Sequence, residues 1–360
     1  MAAKYQQIAN EIRTKILNEE YPVGSVIPPE LKLQESYQVS RHTIRQAIAL
    51  LANEGFLRKE KGSGTYVDDR FKTKDASEKR TKTIGVITTY LSDYIFPSII
   101  RGIEETLREN GYSLLLASTG NDLQQERKCL ESMISQQVDG LIVEPTRSNQ
   151  YNPNLSYYLS LKESGIPVVM INSHYEELDL PYISLDDVKA GFAATSFMLD
   201  QGIDQLALIV KIDDLQGKLR MKGFIEAFEK AKLMFDSANI FTYTTEEKQE
   251  VVARVVQRLL DETNTIKGIV CYNDEIANSL AQSLTASGKQ IPEDFAIIGQ
   301  DDSYLSTAGE IPLTTISHPK EQLGRDAAQW MIRAIDKKII SDNILYDPQV
   351  IERQSTKKNN

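Results

Sequence analysis

Seven short apolar runs, separated by stretches of helical periodicity, constrain the fold of this 360-residue chain more than any other feature. The runs occupy residues 84–87, 114–117, 141–143, 168–171, 206–210, 269–271 and 296–298. Strands form unbroken apolar runs when both faces of their sheet are covered. Patterned stretches such as 99–107 and 251–260 lie between the runs, and this alternation predicts parallel sheets. Residues 83–360 are therefore expected to form an α/β domain that binds ligands beyond the carboxyl ends of its strands.

Residues 1–69 follow a different pattern, which predicts three helices and then a hairpin. Helical spacing and prolines predict a first helix that ends before residue 21 and a short second helix that opens near residue 29. Ser40 is a good N-cap for a third helix, which leaves Arg41, His42 and Arg45 outside its apolar stripe. The stripe consists of Ile44, Ala47, Ile48 and Leu51. A short helix, a tight turn and a helix with exposed basic residues at its start is the arrangement that enters the major groove of DNA.

The hairpin is predicted from two strand-like runs in residues 55–67, which flank a basic, glycine-rich tip. Gly62 and Gly64 allow a tight turn and a close approach to a phosphate or to the minor groove. We interpret this hairpin as the wing of a winged helix-turn-helix domain.

Charge is distributed unevenly along the chain. Residues 1–82 contain 15 basic and 11 acidic residues, a net charge of +4, whereas the rest of the chain has a net charge of −14. Residues 70–82 lack apolar periodicity, and 6 of these 13 residues are basic. We interpret this segment as a flexible linker that adds attraction to phosphates. The pattern indicates a basic DNA-binding module attached to an acidic domain.

Four motifs, taken in order, resemble the winged-helix domain of the GntR family of regulators. They are Ile-Pro-Pro-Glu (27–30), Val-Ser-Arg-His-Thr-Ile-Arg-Gln-Ala-Ile (39–48), Glu-Gly-Phe-Leu (54–57) and Lys-Gly-Ser-Gly-Thr-Tyr-Val (61–67). The sequence departs from that family at Leu31, where arginine is usual. An arginine on such a helix forms bidentate hydrogen bonds to the O6 and N7 atoms of one guanine. The resemblance implies DNA contacts from Lys4, Tyr5, Glu30, Ser40, Arg41, His42, Thr43, Arg45, Lys61 and Gly62.

Motifs at the strand ends of residues 83–355 resemble the effector domain of the LacI/GalR repressors, which is similar to periplasmic sugar-binding proteins. Examples are Gly-Leu-Ile-Val-Glu-Pro-Thr (140–146), Cys-Tyr-Asn-Asp-Glu-Ile-Ala (271–277) and Ile-Gly-Gln-Asp-Asp-Ser (298–303). The resemblance implies two lobes with a sugar cleft. A pyranose needs an aromatic face, which Tyr94 and Phe96 offer, and polar groups that bond adjacent hydroxyls. The residues at the effector-contact positions of the family are Glu144, Asn172, Arg220, Asn273 and Asp301.

A GntR-type reader on a LacI-type sensor is an uncommon pairing, and residues 88–104 resemble the same segment of arabinose-responsive repressors. The resemblance implies a repressor of sugar-utilisation genes that leaves its operator DNA when a sugar, here L-arabinose, binds the cleft. A homodimer is expected because two readers must match two half-sites, and its surface is placed on the lobe that contains residues 99–107. The proline-containing hinge-helix pattern of LacI relatives is absent from residues 70–82.

Other classes of protein have less support. Two distant cysteines and three histidines show no metal-ligand spacing, so neither a metal nor a cofactor is expected. The sequence shows no apolar membrane span and no secretory segment, which favours the cytoplasm over an exported transport protein. No dinucleotide loop, Walker motif or Gly-x-Ser-x-Gly elbow is present, so an enzyme is not expected. A response to another sugar or to a sugar phosphate, and a sugar-active enzyme, remain alternatives.

Overall fold

The structure is a computed structural model that describes residues 4–17, 20–53, 55–60, 64–68, 80–91, 94–336 and 343–356. The chain forms two units, residues 1–80 and residues 81–360. Residues 70–79 of the predicted linker lie outside the described residues, and the linker stays a prediction. Within the described residues, no helix is both long and apolar enough to cross a lipid bilayer.

The first unit is a winged helix-turn-helix. Its elements are α1 (Lys4–Leu17), α2 (Glu30–Tyr37), α3 (Arg41–Asn53), β1 (Leu57–Glu60) and β2 (Gly64–Val67). The apolar faces of α1 and α3 meet in one core, where Ile12, Ile44 and Leu51 are fully buried. Strands β1 and β2 pair antiparallel, with Leu57 opposite Val67. The predicted helices and hairpin are confirmed.

The second unit alternates strands with helices, as its sequence predicts. In chain order its elements are β3 (Thr83–Thr88), α4 (Phe96–Glu109), β4 (Ser113–Ser118), α5 (Leu123–Ser135), β5 (Gly140–Val143), α6 (Leu155–Glu163), β6 (Val168–Ile171), β7 (Tyr182–Leu185), α7 (Asp187–Asp200), β8 (Leu206–Lys211), α8 (Leu215–Ala231), β9 (Ile240–Tyr243), α9 (Lys248–Leu259), β10 (Gly268–Cys271), α10 (Asp274–Ala286), β11 (Ala296–Ile298), α11 (Leu305–Ala308), β12 (Thr315–Ile316), α12 (Lys320–Ile335), β13 (Ile344–Tyr346) and β14 (Val350–Ile351). Short 3-10 helices occupy Ser237–Asn239 and Thr245–Glu247.

These elements build two lobes, each around a parallel sheet. The first lobe has six strands in the order β13-β7-β6-β5-β3-β4, and the second lobe has four in the order β11-β10-β8-β9. Every pairing within both sheets is parallel. Helices cover both faces of the sheets, which explains why the strands are almost entirely apolar. The predicted two-lobed α/β architecture is confirmed.

The chain passes between the lobes three times. It crosses after β7, again between β12 and α12, and a third time between β13 and β14. Strands β12 and β14 pair antiparallel beside the second lobe.

Five strands were not predicted from the sequence: β7, β9, β12, β13 and β14. Strands β12 and β14 have two residues each, too few for any periodicity. Strand β13 is half exposed and enters the first sheet only after the chain has returned from the second lobe. Pairing with residues far away in sequence defines these strands, and local pattern does not reveal such pairing.

Candidate functional site

A cavity of about 320 Å³ lies between the lobes of the second unit, at the carboxyl ends of the parallel strands. The first lobe contributes residues that follow β3, β5 and β6, and the second lobe contributes residues at the ends of β8, β10 and β11. Six of the seven residues predicted to contact an effector line this cavity: Tyr94, Phe96, Glu144, Arg220, Asn273 and Asp301. The fold therefore brings together residues that are up to 207 positions apart.

Arg220, on α8, is a buried guanidinium with all three nitrogens bonded. Its Nε donates to Asp187 Oδ1 at 2.8 Å, Nη1 to the Tyr272 carbonyl at 2.6 Å and Nη2 to Asp301 Oδ1 at 3.1 Å. Burial opposes the charge, but the carboxylates of Asp301 and Asp187 outweigh it and raise the pKa of Arg220. Burial also raises the pKa of Asp187 to about 6, although Arg220 opposes that change. The guanidinium thus fixes the Asp301 carboxylate at the cavity wall.

Glu144, directly after β5, is the acidic group of the first lobe. Its Oε2 accepts hydrogen bonds from the Thr89 amide at 2.8 Å and the Thr89 hydroxyl at 2.5 Å. Its Oε1 accepts a bond from Asn172 Nδ2 at 2.8 Å. Burial raises the pKa of Glu144, although these hydrogen bonds oppose the shift. Asn172 lies behind the wall and reaches the cavity only through Glu144.

Tyr94 connects the two lobes. It precedes α4 in the first lobe, and its hydroxyl donates to Asp301 Oδ2 at 2.7 Å and lies 2.9 Å from the Gln300 carbonyl. The same hydroxyl accepts the Asp274 amide at 3.1 Å. Phe96, the first residue of α4, is buried and packs in the core of the first lobe as well as lining the cavity. The two aromatic side chains therefore have different surroundings.

Three residues at or directly behind the cavity wall have strained backbone conformations. Tyr94, Asn172 and Asp301 have φ values of 64°, 62° and 91°, in the left-handed region that side chains other than glycine rarely adopt. Such strain persists where surrounding contacts fix the conformation, and it is common at ligand sites. It places these polar groups at angles that a regular strand end would not allow.

Asn273 has a structural role as well as a place in the wall. It is the N-cap of α10, and its Oδ1 accepts the amide of Ile276 at 3.0 Å. Capping of this kind stabilises the helix and fixes the side chain. Asn273 also lines the same cavity as Arg220 and Asp301.

Polar contacts also join the lobes at the mouth of the cavity. Asn121 Nδ2 donates to Thr245 Oγ1 at 2.7 Å, and Arg147 forms an ion pair with Glu246. Farther out, Lys218 Nζ lies 3.0 Å from Glu176 Oε2. Hydrogen bonds and ion pairs therefore connect the two lobes around the cleft.

Sequence reasoning did not identify Lys211, Asp214 and Tyr272, which also line the cavity. Lys211 is the last residue of β8, one position beyond the predicted apolar run. A charged residue that ends an otherwise apolar strand, followed by two aspartates, was an available signal. Tyr272 lies between Cys271 and Asn273 in a motif whose neighbouring asparagine was identified.

The first unit presents a second candidate site, on α3. Ser40 caps this helix, with its Oγ accepting the Thr43 amide at 3.2 Å. Arg41 and Arg45 are exposed, and the Nε of each donates to Glu30 Oε2, at 3.1 Å and 2.9 Å. Burial alone would raise the pKa of Glu30, but the bonds from Arg45 and Arg41 lower it. Glu30 holds each arginine by its Nε, and among the described residues the terminal Nη donors bond no other group.

The remaining predicted DNA contacts are distributed around α3. His42 is exposed on α3, and Thr43 is half buried with its hydroxyl 2.9 Å from that of Ser40. Lys4 is exposed at the start of α1, and Tyr5 packs against the core. Leu31, the departure from the GntR pattern, is 65% exposed. Lys61 and Gly62 lie outside the described residues.

Comparisons with known proteins match both units. Residues 4–67 match the model of bacterial regulatory proteins of the gntR family, and residues 84–339 match that of a periplasmic binding protein domain. The chain is 43% identical to the arabinose metabolism transcriptional repressor of Halalkalibacterium halodurans, covering 99% of this chain and 97% of the relative. It is 44% identical to the repressor of that name from Geobacillus stearothermophilus, covering 99% and 98%.

The chain belongs to the family of transcriptional repressors that join a GntR-type reader to a periplasmic-binding-protein domain. The crystal structure of the transcription regulator CcpA of Lactococcus lactis superposes with a TM-score of 0.69 at 27% identity, covering 77% of this chain and all of that one. The predicted family, fold and regulatory rather than enzymatic class are thereby confirmed. Within this family the cleft between the lobes and the face of α3 are the two candidate sites.

Proposed function

We propose that this repressor binds operator DNA through its first unit and leaves it when L-arabinose binds the cavity of the second unit. The observation that carries the proposal is the presence, in one chain, of a capped helix with two exposed arginines and a polar cavity between two lobes. The names of the relatives that share 43–44% identity over nearly the whole chain support arabinose.

The DNA-reading surface is the exposed start of α3. The Nη donors of Arg41 and Arg45, which have no partner in the described part of the chain, suit the paired O6 and N7 acceptors of guanine in the major groove. Ser40, His42 and Thr43 are placed for contacts around them. Lys4 and Tyr5, at the start of α1, and Lys61 and Gly62, at the predicted wing tip, are proposed to contact the DNA backbone. Glu30 contributes by orienting both arginines.

The charges around the cavity favour a neutral sugar over a sugar phosphate. The described residues give the wall three cationic side chains, Lys211, Arg220 and Lys248, and each is already paired with a carboxylate. A phosphate would have to compete with these carboxylates for donors. A neutral polyol instead donates hydroxyl protons to the carboxylates and accepts bonds from their cationic partners.

The proposed sugar contacts divide between the lobes. Glu144, oriented by Asn172, accepts sugar hydroxyls from the first lobe, where Tyr94 and Phe96 offer aromatic faces. Asp301, Asn273 and Arg220 bind hydroxyls from the second lobe. Because both lobes contact the sugar, binding favours the closed cleft, and the low-affinity DNA state must be the one that the sugar binds more tightly.

A homodimer is proposed through the edge of the first lobe. Strand β4 is the edge strand of the six-stranded sheet, and its consecutive Leu114, Leu115 and Leu116 are only partly buried. An apolar edge strand of this kind is a template for pairing with a second chain. It lies beside α4, the helix on which the sequence placed the dimer surface. We expect the dimer to act in the cytoplasm, where it meets operator DNA.

The test is a titration of protein against a duplex selected from a random library by the wild-type protein. Wild type is expected to bind tightly, and saturating L-arabinose to weaken binding at least tenfold. Arg41→Ala and Arg45→Ala should each weaken binding about fivefold to a hundredfold, since a bidentate base contact contributes about 1–3 kcal/mol. Arg254→Ala, which removes an exposed arginine on α9 of the second lobe, outside both α3 and the proposed dimer surface, is the control.

Two results would contradict the proposal. If the folded Arg41→Ala/Arg45→Ala protein binds DNA as tightly as wild type, the proposal that α3 reads the DNA is rejected. If saturating L-arabinose leaves the DNA affinity unchanged, its role as the inducer is rejected. If only arabinose 5-phosphate weakens DNA binding, the effector is a sugar phosphate. Sedimentation velocity of wild type is expected to give twice the chain mass of 40.6 kDa.

A further inference from the structure

Lys211 and Asp214 form an ion pair in the cavity wall, separate from the Arg220–Asp301 pair. The Lys211 ammonium lies 2.6 Å from Asp214 Oδ2 and 3.7 Å from Asp213 Oδ1. Only 8% of Lys211 is exposed. Burial opposes its charge, but Asp214 and Asp213 outweigh burial and raise the pKa of Lys211. The wall therefore holds a charged ammonium in a largely buried position.

This pair has unused hydrogen-bonding capacity. An ammonium has three donors, and among the described residues Lys211 Nζ uses one, to Asp214. Asp214 accepts its bonds from Lys211 and Tyr272 through Oδ2 alone. Although Asp214 is the N-cap of α8, its side chain makes no capping bond. A buried charged group with open donors is costly unless a ligand or water fills them.

Tyr272 contacts both the Lys211–Asp214 pair and the Arg220–Asp301 pair. Its hydroxyl lies 3.3 Å from Asp214 Oδ2, and its carbonyl accepts Arg220 Nη1. The Arg220 guanidinium carbon lies 5.1 Å from the centre of the Tyr272 ring. Tyr272 therefore lies between two ion pairs, and each pair places a hydrogen-bond donor beside an acceptor. Two adjacent hydroxyls of a sugar present the complementary arrangement.

We propose that Lys211 and Asp214 form a second diol-binding subsite of the cavity, which binds a pair of adjacent hydroxyls of the neutral sugar while Arg220 and Asp301 bind another part of it. This inference rests on the proposed function, since it assumes a sugar in the cavity. Lys211 donates to one sugar oxygen, and Asp214 Oδ1 accepts the proton of the neighbouring hydroxyl. The subsite therefore selects sugars by the position and configuration of that hydroxyl pair.

Calorimetry with L-arabinose on the full-length protein tests the subsite. Lys211→Gln, Asp214→Asn and the double variant are each expected to raise the Kd about tenfold to a hundredfold, the effect of losing a hydrogen bond to a charged group. Lys222→Gln is the matched control, because Lys222 pairs with Glu226 on the exposed face of the neighbouring helix α8. Thermal unfolding of each variant shows whether it is folded.

Monodeoxy analogues of arabinose separate contact from support. If Lys211 and Asp214 bind a diol, removing one hydroxyl of that diol from the sugar raises the Kd of the wild-type protein. The same removal raises the Kd of the variants little further, because they have already lost the contact. If Lys211 and Asp214 only support the cavity wall, the variants raise the Kd by the same factor for every analogue as for L-arabinose, and the proposal is rejected. Tyr272→Phe, which keeps the ring and removes the hydroxyl on Asp214, gives a second variant should Lys211→Gln not fold. A smaller loss with the same analogue dependence is expected from it.

The outcomes also distinguish this subsite from the proposed function. If wild type binds L-arabinose or another neutral sugar and all the variants match it, the subsite is rejected and the sensor stands. If wild type binds no neutral sugar at any concentration tested, the proposed function and the subsite are rejected together.

Discussion

Single residues in this protein are placed by the cost of burying charge. Arg220 is 2% exposed, and a lone guanidinium at that position would be strongly destabilising. Two carboxylates and one carbonyl compensate it, and they also fix Asp301 where a ligand can reach it. The same group of contacts that makes the charge tolerable therefore preorganises the cavity wall.

His318 shows the opposite solution, in which a titratable group is buried neutral. It lies between β12 and α12, and neither ring nitrogen has a partner among the described residues. Burial lowers its pKa from 6.5 to about 4; Asp301 opposes this shift, whereas Lys320 and Arg220 add to it. Between those pH values the unfolded chain binds more protons than the folded one, so acid favours unfolding.

We therefore predict that His318→Gln reduces the acid sensitivity of the second unit. Because of His318, the free energy of unfolding is highest above pH 6.5. It decreases as the pH falls towards 4, by up to about 3 kcal/mol. Urea unfolding at several pH values measures the slope. Asp187 and Asp274, whose raised pKa values act in the opposite direction, are present in both proteins. Equal slopes for His318→Gln and wild type would contradict the prediction, and His42→Gln, at an exposed position, is the control.

At the scale of elements, the close crossing of α4 and α12 depends on two glycines. A Cβ at Gly102 would lie 2.2 Å from the Glu321 carbonyl oxygen, and one at Gly324 would lie 2.2 Å from that of Ile99. Both obstacles are backbone atoms, which cannot rotate away. The helices approach each other this closely because neither has a side chain at the crossing.

Gly102→Ala is accordingly expected to destabilise the second unit by about 1–3 kcal/mol, the usual cost of overpacking, although alanine is the better helix former. Chemical unfolding of the two-unit protein, followed for the transition of the second unit, measures the effect. Arg101→Ala, the exposed neighbour on α4, should change the stability by less than about 0.5 kcal/mol. A Gly102→Ala protein as stable as that control would show that the helices move apart without cost.

For the whole molecule, we expect the balance between open and closed lobes to set the affinity for the proposed sugar. Contacts between the lobes outside the cavity, such as the Arg147–Glu246 pair at its mouth, are expected to favour a closed cleft. They bias the equilibrium without touching a ligand. A residue that favours the binding-competent state raises apparent affinity by raising the fraction of molecules in that state.

Glu246→Gln is thus predicted to raise the Kd for L-arabinose about twofold to fivefold, since Glu246 is 60% exposed and pairs of this kind contribute up to about 1 kcal/mol. The effect should shrink at high salt, which screens the pair. Calorimetry at two ionic strengths measures both. Glu250→Gln, exposed on α9, is the control, and a Kd for Glu246→Gln equal to that of the control would show that the mouth contact does not hold the lobes closed.

The sequence determined much of this protein by local rules. Ile44, Ala47, Ile48 and Leu51 lie on one face of a helix because of its 3.6-residue period, so α3 and its exposed arginines were predictable. Apolar runs likewise revealed the central strands, whereas Glu144, Asn273 and Asp301 were identified through the resemblance of the motifs at the strand ends to LacI/GalR proteins. These features depend on neighbours within a few positions along the chain.

Tertiary structure alone decided how those residues meet. No local pattern indicates that Tyr94 bonds Asp301, 207 positions later, or that Asn172 lies behind Glu144. Lys211 was overlooked because a lysine near two aspartates is ordinarily a solvated surface group, whereas in the fold it is only 8% exposed and pairs with Asp214 in the cavity wall. Burial, ion pairing and the shape of a cavity depend on which distant segments pack together, and that information is distributed over the entire chain.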